Sequence, residues 1–352
     1  MEIGIKRVTN CLELPPSRER GFGKYHTDHF FQARFTQKRL WHDEEIRPFA
    51  ALSLDPSSFA LQFGFNLFDS LRVYGQENGL AAAFRPHDIY ARFAASGARL
   101  GMVVPPRDLF INAISQISQA DLRWMPETRG ASLYARCNLM RIDPTIGKSI
   151  DPEFLFTVVM SPLGSYGRKP LAVKASSAPR SFLMGYGDLK IGINYSVNSV
   201  GVDQAKAEGF DQVLWLRGEN SLIEELNALN IFFVFKDEII TPALNGAVVP
   251  GIMRDSVIKI LSKRGLRVVE RDISINLIEA AGANGDLMEV FGSGTATNIS
   301  PIAKISYRDS VITPRKNQGD LTQSVYEELI NIQVGSKSTF SDWMFPLEQK
   351  TN

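Results

Sequence analysis

The stretch Ser161-Pro-Leu-Gly-Ser-Tyr-Gly-Arg-Lys-Pro170 most constrains what this chain can fold into. Proline and glycine recur through it, removing backbone donors and breaking regular structure. Runs that read as strands lie on both sides: Ala131–Met140 and Glu153–Met160 before it, Leu171–Ser176 after it. A break of this kind reads as an interdomain linker, and 352 residues exceed what a single core usually holds. The expected organisation is a small domain over 1–161, a linker over 162–172 and a larger domain over 173–352.

Composition narrows the function by exclusion. With 39 basic against 38 acidic residues the net charge is +1, so there is no electrostatic footprint for nucleic acid or an anionic membrane. No segment approaches the roughly 18 apolar residues of a membrane span, and the N-terminus has no continuous apolar signal region. Cys11 and Cys137 form neither a metal spacing nor a disulfide framework, which fits a reducing cytoplasm. His26-Thr-Asp-His29 has the residue types of a metal site but no third ligand cluster. No metal is expected there, and hydrogen bonding in a turn or core is the better account. Small molecules and copies of the chain itself remain as partners.

Along the chain, residues 1–20 with Pro15-Pro16 read as an extended arm. His29–Phe35 and Ile46–Ser53 read as half-buried strands, Ser57–Phe68 as a buried helix and Ser70–Tyr74 as a strand. In His87–Leu100, Ile89, Phe93 and Leu100 share a helical face. After the linker come a helix over Ser196–Glu208 closed by Gly209, strands at Gln212–Leu216 and Asn230–Phe235, and an amphipathic helix reaching about Ser262. A strand at Leu287–Phe291 and a helix over Leu321–Ile332 follow.

The chemistry centres on Gly185-Tyr-Gly-Asp-Leu-Lys190-Ile-Gly-Ile-Asn-Tyr195. An amine confined among small residues loses solvation as an ammonium and can become a nucleophile, as a Schiff-base lysine must. A lysine flanked by glycines is more often a solvated charge. Two segments have the form of an anion cup. Gly292-Ser-Gly-Thr295-Ala296 follows a strand, and Val249-Pro-Gly251-Ile252-Met253 opens a helix whose first amides have no internal partner. No Walker lysine or dinucleotide fingerprint accompanies either, so the implied ligand is a compact monophosphate. Arg92 either snorkels or pairs with an anion. Glu224-Glu225 is either a solvated turn or the source of a carboxylate beside a protonated pyridine nitrogen. A lysine, a monophosphate cup and a carboxylate together suggest pyridoxal phosphate.

The order of these segments carries a family pattern. With Phe22–His29, Phe84-Arg-Pro86 and Arg92, Leu133–Arg136, Gly187–Tyr195, Gln212–Leu216, Asn230–Phe233, Val249–Arg254 and Phe291–Ala296, the chain resembles the branched-chain amino acid aminotransferases, class IV pyridoxal-phosphate enzymes, over nearly its whole length. The resemblance implies fold type IV, as in the D-amino acid aminotransferases: two α/β or α+β domains, the larger with a β-barrel-like core. It implies that Lys190 carries the cofactor as a Schiff base, that Tyr195 meets its phenolic oxygen and Glu225 its pyridine nitrogen, and that Val249 packs on the ring. Arg92, Thr295 and the amides of Ile252 and Met253 would hold the phosphate. Ala296 would meet the substrate carboxylate, Phe22, Phe63, Phe68 and Tyr134 would wall an apolar pocket, and Arg136 would serve the distal carboxylate of glutamate. The implied reaction is transamination of leucine, isoleucine and valine with 2-oxoglutarate by a homodimer whose active site takes residues from both subunits.

The chain departs from the pattern at three places. Phe63 stands where related enzymes commonly have tyrosine, and Asn227-Ala228 replaces Gly-Thr, removing a hydroxyl from the substrate carboxylate site. A redox Cys-x-x-Cys gives way to Thr297 and Ser300. These departures keep open a class IV transaminase with another amine donor, a lyase resembling the aminodeoxychorismate lyases, and a non-catalytic binding protein.

Overall fold

The computed structural model describes residues 3–16, 19–147, 149–164, 169–176, 178–180, 185–219, 221–317, 319–336 and 339–347. The chain gathers into two compact units, one of Met1–Ser165, Lys190–Ile193 and Ile330–Asn352, the other of Tyr166–Leu189 and Asn194–Leu329. The linker expected over 162–172 runs through 165–168, which lie outside the described residues.

The first unit begins with β1 (Gly4–Ile5), β2 (His29–Thr36), β3 (Leu40–Pro48), α1 (Phe59–Phe63), β4 (Asn66–Gly75), β5 (Ala81–Phe84), α2 (Pro86–Arg99), α3 (Arg107–Ala120), β6 (Ser132–Arg141) and β7 (Phe154–Leu163). Along β4 the run from Asp69 to Tyr74 is buried, as a central strand requires. α2 starts on Pro86, whose missing N–H costs nothing at a helix start, and turns Ile89, Phe93 and Gly97 inward. Phe93 of α2 and Phe110 of α3 meet Phe156 of β7 at ring-centroid distances of 5.9 and 5.6 Å, and this aromatic layer is the unit's core.

Two expectations change here. The buried helix expected over Ser57–Phe68 is only the five residues of α1, none of them buried. Gly64, at φ 62°, stops it in the left-handed conformation, and Asn66 already belongs to β4. The N-terminal arm is docked. β1 pairs in parallel with β3, Ile3 is buried, the Val8 N–H donates to His29 Nε2 at 3.2 Å, and the Leu12 N–H donates to Asp28 Oδ1 at 2.8 Å.

The second unit supplies β8 (Leu171–Ser176), α4 (Gly192–Ala207, whose first two residues belong to the first unit), β9 (Gln212–Arg217), β10 (Leu222–Leu226), β11 (Asn230–Val234), β12 (Ile239–Thr241), α5 (Ile252–Lys263), β13 (Val268–Glu270), α6 (Ile275–Asn284), β14 (Glu289–Gly294), β15 (Asn298–Tyr307), β16 (Ser310–Ile312) and α7 (Asp320–Gln333). Its nine strands run β10-β9-β8-β15-β14-β11-β12-β13, with β16 beside β15. β8 is parallel to both of its neighbours, whereas β14 is antiparallel to β15 and β11, so the curled half-barrel sheet is mixed. Leu214, Ile223, Ile231, Phe233, Ile302 and Ile305 fill its concave side.

A last strand, β17 (Met344–Pro346), returns to the first unit and pairs antiparallel with β5. The sheet of that unit then reads β1-β3-β2-β7-β6-β4-β5-β17. The Arg85 guanidinium lies 5.0 Å from the Trp343 ring and fastens the join.

Candidate active site

In the first unit the sequence candidates collect along β4 and α2. Lys190 is held by its backbone: its N–H donates to Ser96 Oγ of α2 at 3.4 Å, and its carbonyl accepts from the Phe68 N–H of β4 at 2.9 Å. Leu67 and Ile191 form an antiparallel bridge beside it. Lys190 Nζ therefore comes to 5.6 Å from the Phe68 ring. Gly192 explains the small residues after the lysine, because a Cβ there would stand 2.1 Å from Asn66 Oδ1.

The Arg136 guanidinium lies 4.5 Å from the same Phe68 ring and donates to the Tyr134 hydroxyl at 3.2 Å. Phe22 meets Tyr134 edge-on at 4.9 Å. Phe22, Phe68, Tyr134, Arg136 and Lys190 thus share one cluster, apolar in its walls and cationic at two points. Phe63 contacts Phe59 at 4.6 Å and is 55% exposed, so no ring contact among the described residues links it to Phe68 or Tyr134.

Arg92 does not snorkel. Its side chain is buried, and Nε and Nη2 make parallel bonds of 2.8 and 2.7 Å to the two oxygens of Asp69. Such a fork fixes the guanidinium plane. Thr27, Asp28 and His29 are buried, and His29 Nδ1 lies 2.6 Å from Asp121 Oδ1. His29 Nε2 accepts from Val8, so Nδ1 carries the proton that bonds Asp121.

In the second unit Glu224 and Glu225 are strand residues, 1% and 4% exposed. Adjacent strand residues ordinarily point to opposite faces, but the register of β10 slips between Ile223 and Leu226. Both carboxylates therefore reach Arg180. Glu224 Oε2 accepts from its backbone N–H at 2.8 Å, and Glu225 Oε1 forms an ion pair with its Nε at 3.0 Å. Glu225 Oε2 also accepts from Asn230 Nδ2 at 2.7 Å, and Oε1 from the Val249 N–H at 3.4 Å. A carboxylate facing only donors is held as an anion. Burial alone pushes the Arg180 guanidinium down, but Glu225 and Tyr195 outweigh it and hold it above its usual value. Burial raises Glu224. The Tyr195 ring, in the first turns of α4, lies 5.4 Å from the Arg180 guanidinium.

The glycines before Lys190 also have a reason. A Cβ on Gly187 would come within 2.7 Å of Ala247 O, and the Gly187 carbonyl accepts from Arg180 Nη1. Val249 and Met253 are buried, and α5 begins at Ile252 behind Gly251, which offers no capping side chain. Arg254 is turned away onto Glu270 at 2.7 Å. β14 ends at Gly294, where a Cβ would be 3.0 Å from Ala228 O, so Ala228 borders the turn that carries Thr295 and Ala296. Asn227 Oδ1 and Ser293 Oγ are buried without a hydrogen-bond partner among the described residues. The hydroxyls of Thr297 and Ser300 bond each other at 2.9 Å.

Arg180 and the Asn230 side chain escaped the sequence reading. Arg180 follows Ala178-Pro179 in a stretch with no periodicity, and nothing there marks it. Asn230 had a signal, since it is the one polar residue of an otherwise apolar strand.

This combination of fold and residues has a family. The amino-transferase class IV model matches residues 66–305, and the chain belongs to that family of aminotransferases. It is 34% identical to branched-chain-amino-acid transaminase 1 of Bacillus subtilis, over 97% of this chain and 98% of the relative. It is 35% identical to a probable branched-chain-amino-acid aminotransferase of Streptomyces coelicolor, over 93% and 92%. In fold it is similar to the branched-chain amino acid aminotransferase of Thermobaculum terrenum in its pyridoxal-phosphate form, with a TM-score of 0.74, 21% identity, and coverage of 92% and 99%.

Proposed function

We propose that this aminotransferase moves the amino group of leucine, isoleucine or valine to 2-oxoglutarate, giving the branched 2-oxo acid and glutamate, with pyridoxal phosphate as cofactor. The observation that carries the reading is Glu225, a buried carboxylate surrounded by donors, in a chain that also presents Lys190 beside an apolar cluster. The residues fit the cofactor: an anion for a pyridinium nitrogen, an uncapped helix start and a threonine hydroxyl for a phosphate, and polar atoms at Asn227 and Ser293 still without partners. Bound there, pyridoxal phosphate supplies the electron sink that lets the substrate's α-carbon give up its proton.

Each residue then has a task. Glu225 holds a proton at the pyridine nitrogen, and Arg180 with Asn230 keeps Glu225 ionised. Tyr195 hydrogen-bonds the phenolic oxygen, and Val249 packs on the ring. Arg92, its plane set by Asp69, joins the Thr295 hydroxyl and the Ile252 and Met253 amides on the phosphate. Lys190 Nζ anchors the cofactor and, once displaced by the substrate amine, takes the α-proton. Phe22, Phe68 and Tyr134 receive the branched side chain, and Arg136 receives the distal carboxylate of glutamate. Phe63 borders this pocket from α1. The Ala296 amide, with Ala228 beside it, meets the α-carboxylate. The active protein is a homodimer with residues of both subunits at each site. Its free thiols, Cys11 exposed and Cys137 buried, fit a cytoplasmic protein.

Absorbance tests the reading. The protein with cofactor should be yellow, borohydride should bleach the band, and Lys190→Ala should lack it. With 2-oxoglutarate as acceptor, leucine, isoleucine and valine should be the best donors. A protein that takes up no pyridoxal phosphate, or one active only on unbranched donors, would sink the proposal.

A further inference from the structure

β11 opens on Asn230, 6% exposed, ahead of four buried apolar residues. A buried amide must find partners, and this one finds them on two separate segments. Nδ2 donates to Glu225 Oε2 of β10 at 2.7 Å and to the Val249 carbonyl at 3.0 Å, just before α5. Both neighbours are acceptors, which fixes the orientation of the amide. Its Oδ1 lies against Gly251, where a Cβ would be 2.0 Å away, so only glycine fits there without displacing the amide. The Asn230 backbone is in register with Ser293 of β14, two residues before Thr295. One residue therefore touches the strand that carries the carboxylate and the start of α5, and is paired with the strand that leads to the threonine.

We propose that Asn230 is a positioning residue that sets the spacing between Glu225 and the phosphate cup, so that a rigid ring bearing a nitrogen at one end and a phosphate at the other is gripped at both. The inference rests on the pyridoxal-phosphate reading above. A pyridine nitrogen and a phosphate on one ring cannot adjust their separation. The two halves of the cup must match it in advance, and fixing them beforehand lowers the cost of binding. Asn230 bonds both halves through the same nitrogen, so a shift of either is transmitted to the other.

The test is titration of the apo-protein with pyridoxal phosphate, and separately with pyridoxal lacking the phosphate, followed by tryptophan fluorescence. Asn230→Ala loses a hydrogen bond to a charged group and should weaken pyridoxal phosphate about ten- to hundredfold while weakening pyridoxal less. Asn230→Asp is nearly isosteric and protects the test against misfolding of the alanine variant. Its new carboxyl faces Glu225, so the loss should be large at about pH 8 and shrink toward about pH 5, where a proton on that carboxyl replaces the lost donor. In turnover, kcat should fall with the amino acid KM little changed. Circular dichroism checks that the variants are folded. Folded variants that bind pyridoxal phosphate within about twofold of the parent, or an Asn230→Asp loss independent of pH, would overturn the role of Asn230 alone. A parent that binds no pyridoxal phosphate would overturn the underlying reading as well.

Discussion

At the scale of single residues, Arg180 and Glu225 have both left water, at 2% and 4% exposure, and each is the other's main reason for remaining charged. Losing one partner of such a pair costs far more than replacing both, because a lone buried charge has nothing to offset its lost hydration. Arg180→Met should therefore destabilise the apo-protein by about 3 to 5 kcal/mol in denaturant titration, and adding Glu225→Leu should recover most of that loss. A single variant as stable as the parent would mean the pair contributes little. None of this was legible in the sequence. Glu224-Glu225 read equally well as a solvated turn, and the slip in β10 that buries both carboxylates depends on pairing with β9. Lys190, Tyr195 and the two glycine-rich cups were legible because local patterns, small residues around a lysine and glycines after a strand or before a helix, carry them.

At the scale of elements, the N-terminal arm is held by a polar anchor. Asp28 is pushed up by burial, but the Trp124 indole N–H at 2.9 Å, the Leu12 N–H at 2.8 Å and Arg123 Nε at 2.8 Å hold it below the usual carboxylate range. A carboxyl lowered on folding adds stability above its unfolded value and loses it as pH falls through the folded one, so this contribution fades below about pH 4. Asp28→Asn should lower the melting temperature at neutral pH and make its decline below about pH 4 less steep. A parallel shift at every pH would assign the loss to packing. Sequence reading saw the arm as extended and missed its docking, because His29, Asp121 and Arg123 are far apart in sequence and meet only across the fold. The same limit explains α1 and α4. Apolar content alone lengthened α1 through Gly64, and a helix start without a capping signal moved the beginning of α4 from Gly192 to Ser196.

At the scale of the whole molecule, several large apolar residues face water in the single chain. Val197 and Val200 on α4 are 47% and 64% exposed, and Ile146 and Ile150, after β6, are 71% and 94% exposed. Clusters of this kind mark surfaces that associate, and the proposed homodimer would cover them. Val197→Glu combined with Val200→Glu should halve the sedimenting mass. A parent that already sediments as one chain would remove the reason for those residues. No helix among the described residues is long and apolar enough to cross a membrane. The two-unit plan was visible in the Pro- and Gly-rich break. The recruitment of Lys190–Ile193 and of the C-terminal residues into the first unit was not, since β17 is three residues long, ends in proline and has no periodicity to read.

That last strand also sets an order in time. A ribosome delivers β5 early and β17 some 260 residues later, so the first unit has an open sheet edge during nearly all of synthesis. The strands of the second unit, by contrast, can all find their neighbours before Phe340 leaves the exit tunnel. A nascent chain is thus most exposed to misassembly in the part made first. A clip or a bulky tag near the C-terminus would be felt at Phe84 and Arg85, at the opposite end of the sequence.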